Sequence, residues 1–343
     1  MKVKETNAKY LLIAASVCLM GIIGLAYYFF LTTFSALTET QYVYVDDDDT
    51  IDSVLTKLRP VATEHGLVGF STLIRHTDYG THPRTGRYAI APGESTLNVM
   101  RKMKNGQQVP VMLTIPESRT TEKLAATLGR KLMIDSVEIA TALTDNDYCQ
   151  RWGYDTYTIA ALFVPNTYEV YWNMTLDKLM ERMLKEHAAF WNDERLDKAK
   201  AAGLTPNEVC TLASIVDEET ANTAEKPMIA GMYINRLRTD MPLQADPTVK
   251  FAMKNFALRR IYRDMLLFDS PYNTYRNVGL PPGPIKIASV KGIDAVLNYV
   301  EHEYLYMCAK EDFSGTHNFA VTYNEHLRNA ARYAAALNRR GIK

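Results

Sequence analysis

The sequence predicts an α+β protein with an N-terminal membrane-spanning helix, a small α+β module and a larger, mainly helical domain. Three observations support this prediction: an uncharged apolar run near the N-terminus, short alternating strands that each lead into a capped helix, and mainly helical periodicity beyond about residue 120. We therefore expect a cytoplasmic tail over residues 1–9, a transmembrane helix over 10–31, the small module over 40–110 and the larger domain over 111–340.

The apolar run from Tyr10 to Leu31 contains no charged residue. As a helix it would extend roughly 33 Å, which is enough to cross a hydrocarbon core of about 30 Å. Lys2, Lys4 and Lys9 precede the run. Because basic residues favour the cytoplasmic side, we expect a single-pass protein of the cytoplasmic (inner) membrane with its bulk outside, in the periplasmic or extracytoplasmic space.

Two rival interpretations of this run are a cleaved signal peptide and a lipoprotein site at Cys18. The run is longer than the apolar region of most signal peptides, and Phe34-Ser35-Ala36 is a poor cleavage site. Val17 precedes Cys18, and the apolar run continues beyond it. A retained anchor is therefore the favoured interpretation.

Three segments after the anchor share a pattern of short alternating strand, turn, and helix starting at Ser or Thr. The predicted strands are 42–45, 86–90 and 109–115, and the helices that follow them are 50–58, 95–103 and 121–128. Their uneven spacing argues against a solenoid. Further along the chain, the candidate helices are 121–131, 135–143, 176–190, 193–202, 206–222, 224–238 and 288–299.

The composition excludes several classes of function. Lys+Arg and Asp+Glu are equal at 39 each, so no global field favours nucleic acid. The four cysteines form no CxxC pair, which argues against zinc and redox sites, although a disulfide between Cys149 and Cys308 stays open. The run Asp46–Asp49 lacks the ligand spacing of a calcium loop and is better explained as a turn before a helix. We predict no metal and no cofactor.

The helix predicted from residue 206 has a well-specified start. Thr205 is a good N-cap, Pro206 suits the first helical position, and Glu208 lies where a capping box needs it. The last turn of this helix carries three consecutive acids at 217–219. The simplest interpretation of such a run is a solvated acidic helix end.

Helical geometry separates the three acids. At about 100° per residue, Glu219 lies at the edge of the apolar face, Glu218 points towards water, and Asp217 projects along the flank of Cys210. A carboxyl held against apolar side chains loses hydration, and its pKa rises. Glu219 is therefore the acid best placed to act as a general acid near neutral pH.

The segment Ala213–Thr220, of sequence ASIVDEET, resembles the signature of the endolytic murein transglycosylases, the YceG-like family of single-pass membrane proteins. The resemblance runs from the anchor to about residue 330. The other matching segments are FVPNTY at 163–168, INRL at 234–237, LQADPTV at 243–249, SPYNTY at 270–275, GLPPGPI at 279–285, YLY at 304–306 and THNF at 316–319.

This resemblance implies a LysM-like module followed by a lysozyme-like catalytic domain. It implies a lyase, a peptidoglycan lytic transglycosylase that cleaves the MurNAc–GlcNAc bond within nascent strands and leaves 1,6-anhydro-MurNAc ends. Its catalytic residue is the Glu directly before Thr, here Glu219, which acts alone as acid and base without a cofactor. The implied partners are peptidoglycan glycan strands and, beside them, glycan polymerases or penicillin-binding proteins.

The chain departs from the family pattern at two places. Asp217-Glu218 stand where Glu-Lys is usual, which makes the site more acidic, and Ala245 replaces a hydroxyl residue. Candidate sugar contacts come from polar and aromatic residues of the loops. They are Asn235, Gln244, Asp246, Tyr272, Asn273 and Tyr275.

Some of these residues have structural alternatives. Asp246 could instead cap a helix starting near Pro247, and His317 is better explained as a local hydrogen-bonder than as a base. Two other functions are weighed against the lyase. One is a non-catalytic, membrane-anchored peptidoglycan-binding scaffold of the wall-synthesis machinery. The other is a hydrolase using Asp217 or Glu218 as a second acid, although neighbours on one helix diverge too far to flank one sugar.

Overall fold

The structure is a computed structural model that describes residues 2–75, 77–258 and 260–341, with the backbone alone for residues 2–8. Met1 of the predicted tail lies outside these residues. The chain divides into two compact units. The first comprises Met1–Met112, Lys131–Met133 and Glu169–Met174, and the second comprises Leu113–Arg130, Ile134–Tyr168 and Thr175–Lys343. The first unit is therefore discontinuous, because the chain returns to it twice.

The N-terminal helix α1 (Lys2–Ala26) continues into a π-helical turn at Tyr27–Leu31. The stretch Lys9–Leu31 is long and apolar enough to cross a membrane, judged by length and composition. The predicted apolar helix is therefore present, and it is compatible with a single-pass anchor.

The rest of the first unit is a small α+β module. Its elements are β1 (Gln41–Val45), α2 (Ile51–Leu58), α3 (Glu64–Ile74), β2 (Gly86–Ile90) and α4 (Thr96–Lys104). β1 and β2 pair antiparallel, with Val43 opposite Tyr88. The apolar side chains of both strands face a core shared with the helices, including Leu58, Phe70 and Met103.

The returning segment Glu169–Met174 completes this module. The Trp172 ring lies 5.0 Å from the ring of Tyr44, and the Asn173 amide donates to the main-chain oxygen of Thr85 at 3.1 Å. The acidic turn before α2 is neutralised locally, because Lys57 forms ion pairs with Asp46 and Asp49.

The second unit is built mostly from helices, one complete short strand pair and part of another. Its helices are α5 (Thr121–Gly129), α6 (Ser136–Thr144), α7 (Asn146–Gln150), α8 (Leu176–Phe190), α9 (Asp193–Ala202), α10 (Pro206–Glu219), α11 (Lys226–Arg238), α12 (Asp246–Ala252), α13 (Val290–Leu297) and α14 (Tyr323–Arg339). β3 (Val111–Thr114) pairs with β4 (Thr167–Val170), and β5 (Tyr306–Ala309) pairs with β6 (His317–Ala320).

Helix α10 forms the centre of the second unit, packed against α9, α11, α12 and α13. Its residues Val209–Val216 are all buried, so it is a core helix rather than an amphipathic one with a single apolar face. This placement brings the three acids at its C-terminal end to the boundary of the core.

The mixed helix-and-sheet fold class is confirmed. α8 and α9 have the predicted bounds, whereas α3, α7 and α14 were not predicted. All four cysteines are free, so Cys149 and Cys308 are not joined. The domain limits 40–110 and 111–340, and the LysM-like and lysozyme-like descriptions, stay predictions.

Candidate active site

The start of α10 is fixed by the capping box that the sequence predicts. The Thr205 hydroxyl accepts from the Glu208 N–H at 3.3 Å, and the Glu208 carboxylate accepts from the Thr205 N–H at 2.7 Å. Pro206 occupies the first helical position. This start sets the phase of the helix, and with it the direction of each acid at the other end.

Asp217 has a side chain that is only 1% exposed. Its carboxylate pairs with Lys226 on α11 and accepts from the Ser289 N–H at 2.7 Å and the Ser289 hydroxyl at 2.8 Å. A Cβ at Gly292 would lie 2.5 Å from Asp217 Oδ1, so glycine is needed there. Asp217 therefore ties α10 to α11 and α13.

Glu218 does not face water, and the expectation that it would is wrong. Its side chain is 17% exposed; Arg119 Nη2 lies 2.7 Å and Lys286 Nζ 3.7 Å from its carboxylate. The partners come from distant segments that cover this side of the helix end. The extra acidity expected from Asp217-Glu218 is thus balanced, because each acid has a cationic partner.

Glu219 is half-buried at the last position of α10, and the buried Tyr233 donates a hydrogen bond to its Oε1 at 2.8 Å. Burial raises the pKa of Glu219 to about 7, and the negative charge of Asp246 adds to the rise. The Tyr233 hydrogen bond and the positive charges of His317 and Lys250 pull the pKa back down. The carboxyl can therefore exchange a proton readily near neutral pH.

The turn at the start of α12 lies beside this carboxyl. Tyr275 Oη donates to Asp246 Oδ1 at 2.6 Å, and burial raises the pKa of Tyr275. Asp246 is the first residue of α12, and the N-cap is Ala245, which makes no side-chain cap. The capping role considered for Asp246 is therefore wrong, since Tyr275 holds its carboxylate.

Gln244, two residues earlier, has a left-handed backbone with φ 51° and an exposed side chain. Its N–H donates to the Thr274 carbonyl at 3.1 Å. The Thr274 hydroxyl accepts from the Ala245 N–H at 3.0 Å, and Thr248 donates to the Ala245 carbonyl at 2.7 Å. Although Ala245 has no hydroxyl of its own, the hydroxyls of Thr248 and Thr274 therefore hydrogen-bond to its backbone.

Two of the predicted sugar contacts, Asn273 and Asn235, hydrogen-bond to main-chain carbonyls of neighbouring loops. Asn273 is fully buried, and its amide donates to the carbonyls of Leu266 and Phe268 at 2.9 and 2.7 Å. The amide of Asn235 donates to the carbonyls of His302 and Tyr304 at 2.6 and 3.1 Å, and its assignment as a sugar contact stays a prediction. Both asparagines hold loops in place.

The structure gathers Glu219, Asp246 and Tyr275 into one electrostatic cluster, since Asp246 raises the pKa of both Glu219 and Tyr275, and Glu219 also raises that of Tyr275. Tyr272 lines a cavity of about 220 Å³ whose lining includes none of these three residues. Gln244 lies in the same turn as Asp246. The substrate contacts expected from the sequence stay a prediction, and the position of Asp246 and Tyr275 beside Glu219 is the observation that supports it.

Sequence reasoning missed Tyr233 and Glu225. Glu225 accepts from the His317 N–H at 2.7 Å, pairs with His317 Nδ1 at 3.0 Å, and accepts from the Thr220 hydroxyl at 3.3 Å. The prediction that His317 is a local hydrogen-bonder is therefore confirmed. Glu225 also holds Thr220, the residue that follows Glu219. The sequence did offer a signal for Tyr233, because its hydroxyl lies in an otherwise apolar run and a buried hydroxyl needs a hydrogen-bond partner.

The chain is similar to a known protein family, to curated proteins and to a solved structure. A family model described as the YceG-like family matches residues 43–332. A protein from Streptococcus pneumoniae (strain ATCC BAA-255 / R6), named endolytic murein transglycosylase, is 31% identical over 303 residues, which cover 79% of this chain and 54% of that protein. The chain thus spans about half the length of that relative.

A protein of the same name from Bacillus subtilis (strain 168) is 27% identical over 271 residues, which cover 74% of each chain. The crystal structure of a yceG-like protein from Listeria monocytogenes matches with a TM-score of 0.54 and 24% identity, covering 85% of this chain and 99% of that one. The structural match shows a shared fold.

Proposed function

Since this chain belongs to the YceG-like family, we propose that it is a membrane-anchored endolytic murein transglycosylase whose catalytic residue is Glu219. Residues 10–31 anchor it in the cytoplasmic membrane, and both units act on peptidoglycan outside the cell interior. Residues 40–110 form its LysM-like module and 111–340 its lysozyme-like catalytic domain. The observation that carries the proposal is the half-buried Glu219 carboxyl, whose pKa burial raises to about 7.

In the first step, protonated Glu219 gives its proton to the oxygen that links MurNAc C1 to GlcNAc. The bond from C1 to that oxygen breaks, and GlcNAc leaves with the proton. In the second step, the Glu219 carboxylate takes the proton of the C6 hydroxyl of the same MurNAc, and O6 bonds to C1. The product is a 1,6-anhydro-MurNAc end, water is not consumed, and Glu219 regains its proton.

Tyr233 supports both steps by orienting the carboxyl. Its hydroxyl donates to Oε1 at 2.8 Å, which leaves Oε2 free to hold the transferred proton. A pKa near the working pH suits a group that must donate and then accept. Asp246, held by Tyr275, opposes ionisation of Glu219 and so keeps the acid form populated.

The neighbouring acids support a mechanism with one catalytic carboxyl. Asp217 and Glu218 are both engaged with cations, so neither is available as the second carboxylate of a hydrolase. Asp246 is the remaining candidate for such a role, because its charge reaches Glu219. Hydrolysis through Asp246 is the second candidate function, and the products distinguish it from the lyase.

The test compares full-length wild type, Glu219→Gln and the matched control Glu218→Gln, each in detergent and incubated with peptidoglycan strands. Mass spectrometry should find new 1,6-anhydro ends with wild type and Glu218→Gln, and a loss of about 10²–10⁴-fold with Glu219→Gln. Reducing ends, heavier by one water, would indicate the hydrolase. Equal release by Glu219→Gln would refute the assignment, and strand binding without any cleavage would indicate a scaffold.

A further inference from the structure

A cavity of about 220 Å³ in the second unit has an aromatic wall. The ring of Tyr272 lies 4.6 Å from that of Phe251 and 6.2 Å from that of Tyr157. Phe256 extends the wall, with its ring 6.3 Å from Phe251. The opposite lining includes Thr120 and other residues at the start of α5.

A smaller cavity of about 40 Å³ lies beside this site and is lined by Glu218, the residue before Glu219. It shares Arg119, Phe251 and Phe256 with the larger cavity and is also lined by Lys250. Lys250 is close enough to Glu219 for its charge to lower the pKa of that carboxyl. The two cavities are therefore neighbours that share one wall, and together they are here called the α12 cleft.

The α12 cleft carries unbalanced positive charge although the whole chain has a formal net charge of zero. Arg119 is engaged with Glu218, and Lys286 with both Glu117 and Glu218. Lys250 and Lys254 form no ion pair with any residue in the described parts of the chain. The charged residues that line the cleft are Arg119, Lys250, Lys254, Lys286, Glu122 and Glu218.

We propose that the α12 cleft binds the peptide carried by the glycan strand, with Lys250 and Lys254 receiving its carboxylates, so that the enzyme selects peptide-bearing over naked glycan. This inference rests on the proposed function and specifies its substrate. The aromatic wall offers apolar contact to the short aliphatic side chains of such a peptide. A volume of about 220 Å³ is below the roughly 300–1,000 Å³ of most small-molecule sites, which suits a peptide end rather than a sugar chain.

The test variant is Lys254→Gln, because Lys250 also acts on Glu219. The matched control is Lys200→Gln, which removes the same charge from an exposed position on α9. Full-length protein in detergent is given strands of equal length, either with their peptides or stripped of them by an amidase. We expect wild type to favour the peptide-bearing strand, and Lys254→Gln to reduce the ratio of the two kcat/KM values about fivefold.

The control should leave that ratio at the wild-type value. A ratio unchanged by Lys254→Gln, or a wild type that cleaves both strands equally, would overturn the inference and leave the proposed function standing. If wild type cleaves neither strand, the proposed function fails. Calorimetric titration of Glu219→Gln with a disaccharide tetrapeptide then decides the inference separately: weaker binding after adding Lys254→Gln supports it, and equal or absent binding refutes it.

Discussion

The raised pKa of Glu219 has a consequence for stability that Glu219→Gln should reveal. Burial raises this pKa from 4.5 to about 7, so the folded state binds the proton more tightly than the unfolded state does. The contribution of Glu219 to wild-type stability is therefore fully present below pH 4.5 and is lost as the pH rises through about 7. The difference corresponds to ~3 kcal/mol, at about 1.4 kcal/mol for each pH unit.

The neutral amide of Glu219→Gln does not carry this penalty. The variant should gain about 3 kcal/mol over wild type between pH 4.5 and pH 8, which is roughly 6–12 °C in the melting temperature of a unit this size. Differential scanning calorimetry of both full-length proteins across this pH range measures the gain. Other titrating groups are common to the two proteins and cancel in the comparison.

Glu218→Gln is the matched control for this experiment. It makes the same chemical change one residue away, but it removes an ion pair with Arg119 and should give no pH-dependent gain. A constant difference between wild type and Glu219→Gln across this pH range would refute the reasoning that Glu219 is held in a desolvated site.

Three further predictions concern the neighbours of this acid. Tyr233→Phe removes the hydrogen bond that lowers the pKa of Glu219, so the alkaline limb of the pH profile of kcat/KM should move up by about one pH unit; an unmoved limb would contradict this. Asp246→Asn removes a negative charge that raises the pKa of Glu219, and the same profile should show the limb at lower pH. Lys226→Met leaves the buried Asp217 carboxylate without its cation and should lower the free energy of unfolding by about 3–5 kcal/mol in a denaturant titration. Replacing both partners of that pair with apolar residues of similar volume should recover most of the loss.

Local sequence rules predicted the start of α10 and the distinct position of Glu219, because caps and helical phase depend on residues within a few turns. They failed for Glu218, since its partners are far away in sequence: Arg119 lies 99 residues before it. Helix geometry gives the direction of a side chain but not what covers it. The burial that raises the pKa of Glu219 is likewise a property of the packed unit.

The loop residues also show that local sequence rules do not predict the surroundings of a side chain. A polar residue in a matching motif can contact a ligand or hold the backbone, and the sequence does not distinguish the two roles. Asn273 holds the backbone, because the carbonyls of Leu266 and Phe268 converge on its amide once the loop has folded. Helix α14 was missed for a different reason. The Thr322 hydroxyl caps the helix by accepting from the Glu325 N–H, and this pair of residues is a cap signal that the sequence does contain.

The interrupted path of the first unit affects how the protein matures. Its β1–β2 ribbon is translated early, but Trp172 and Asn173, which contact Tyr44 and Thr85, are made about a hundred residues later. Contacts so distant in sequence slow folding. The module therefore leaves the ribosome unfinished, and its last segment can dock only after residues 113–130 and 134–168 of the second unit have also been synthesised.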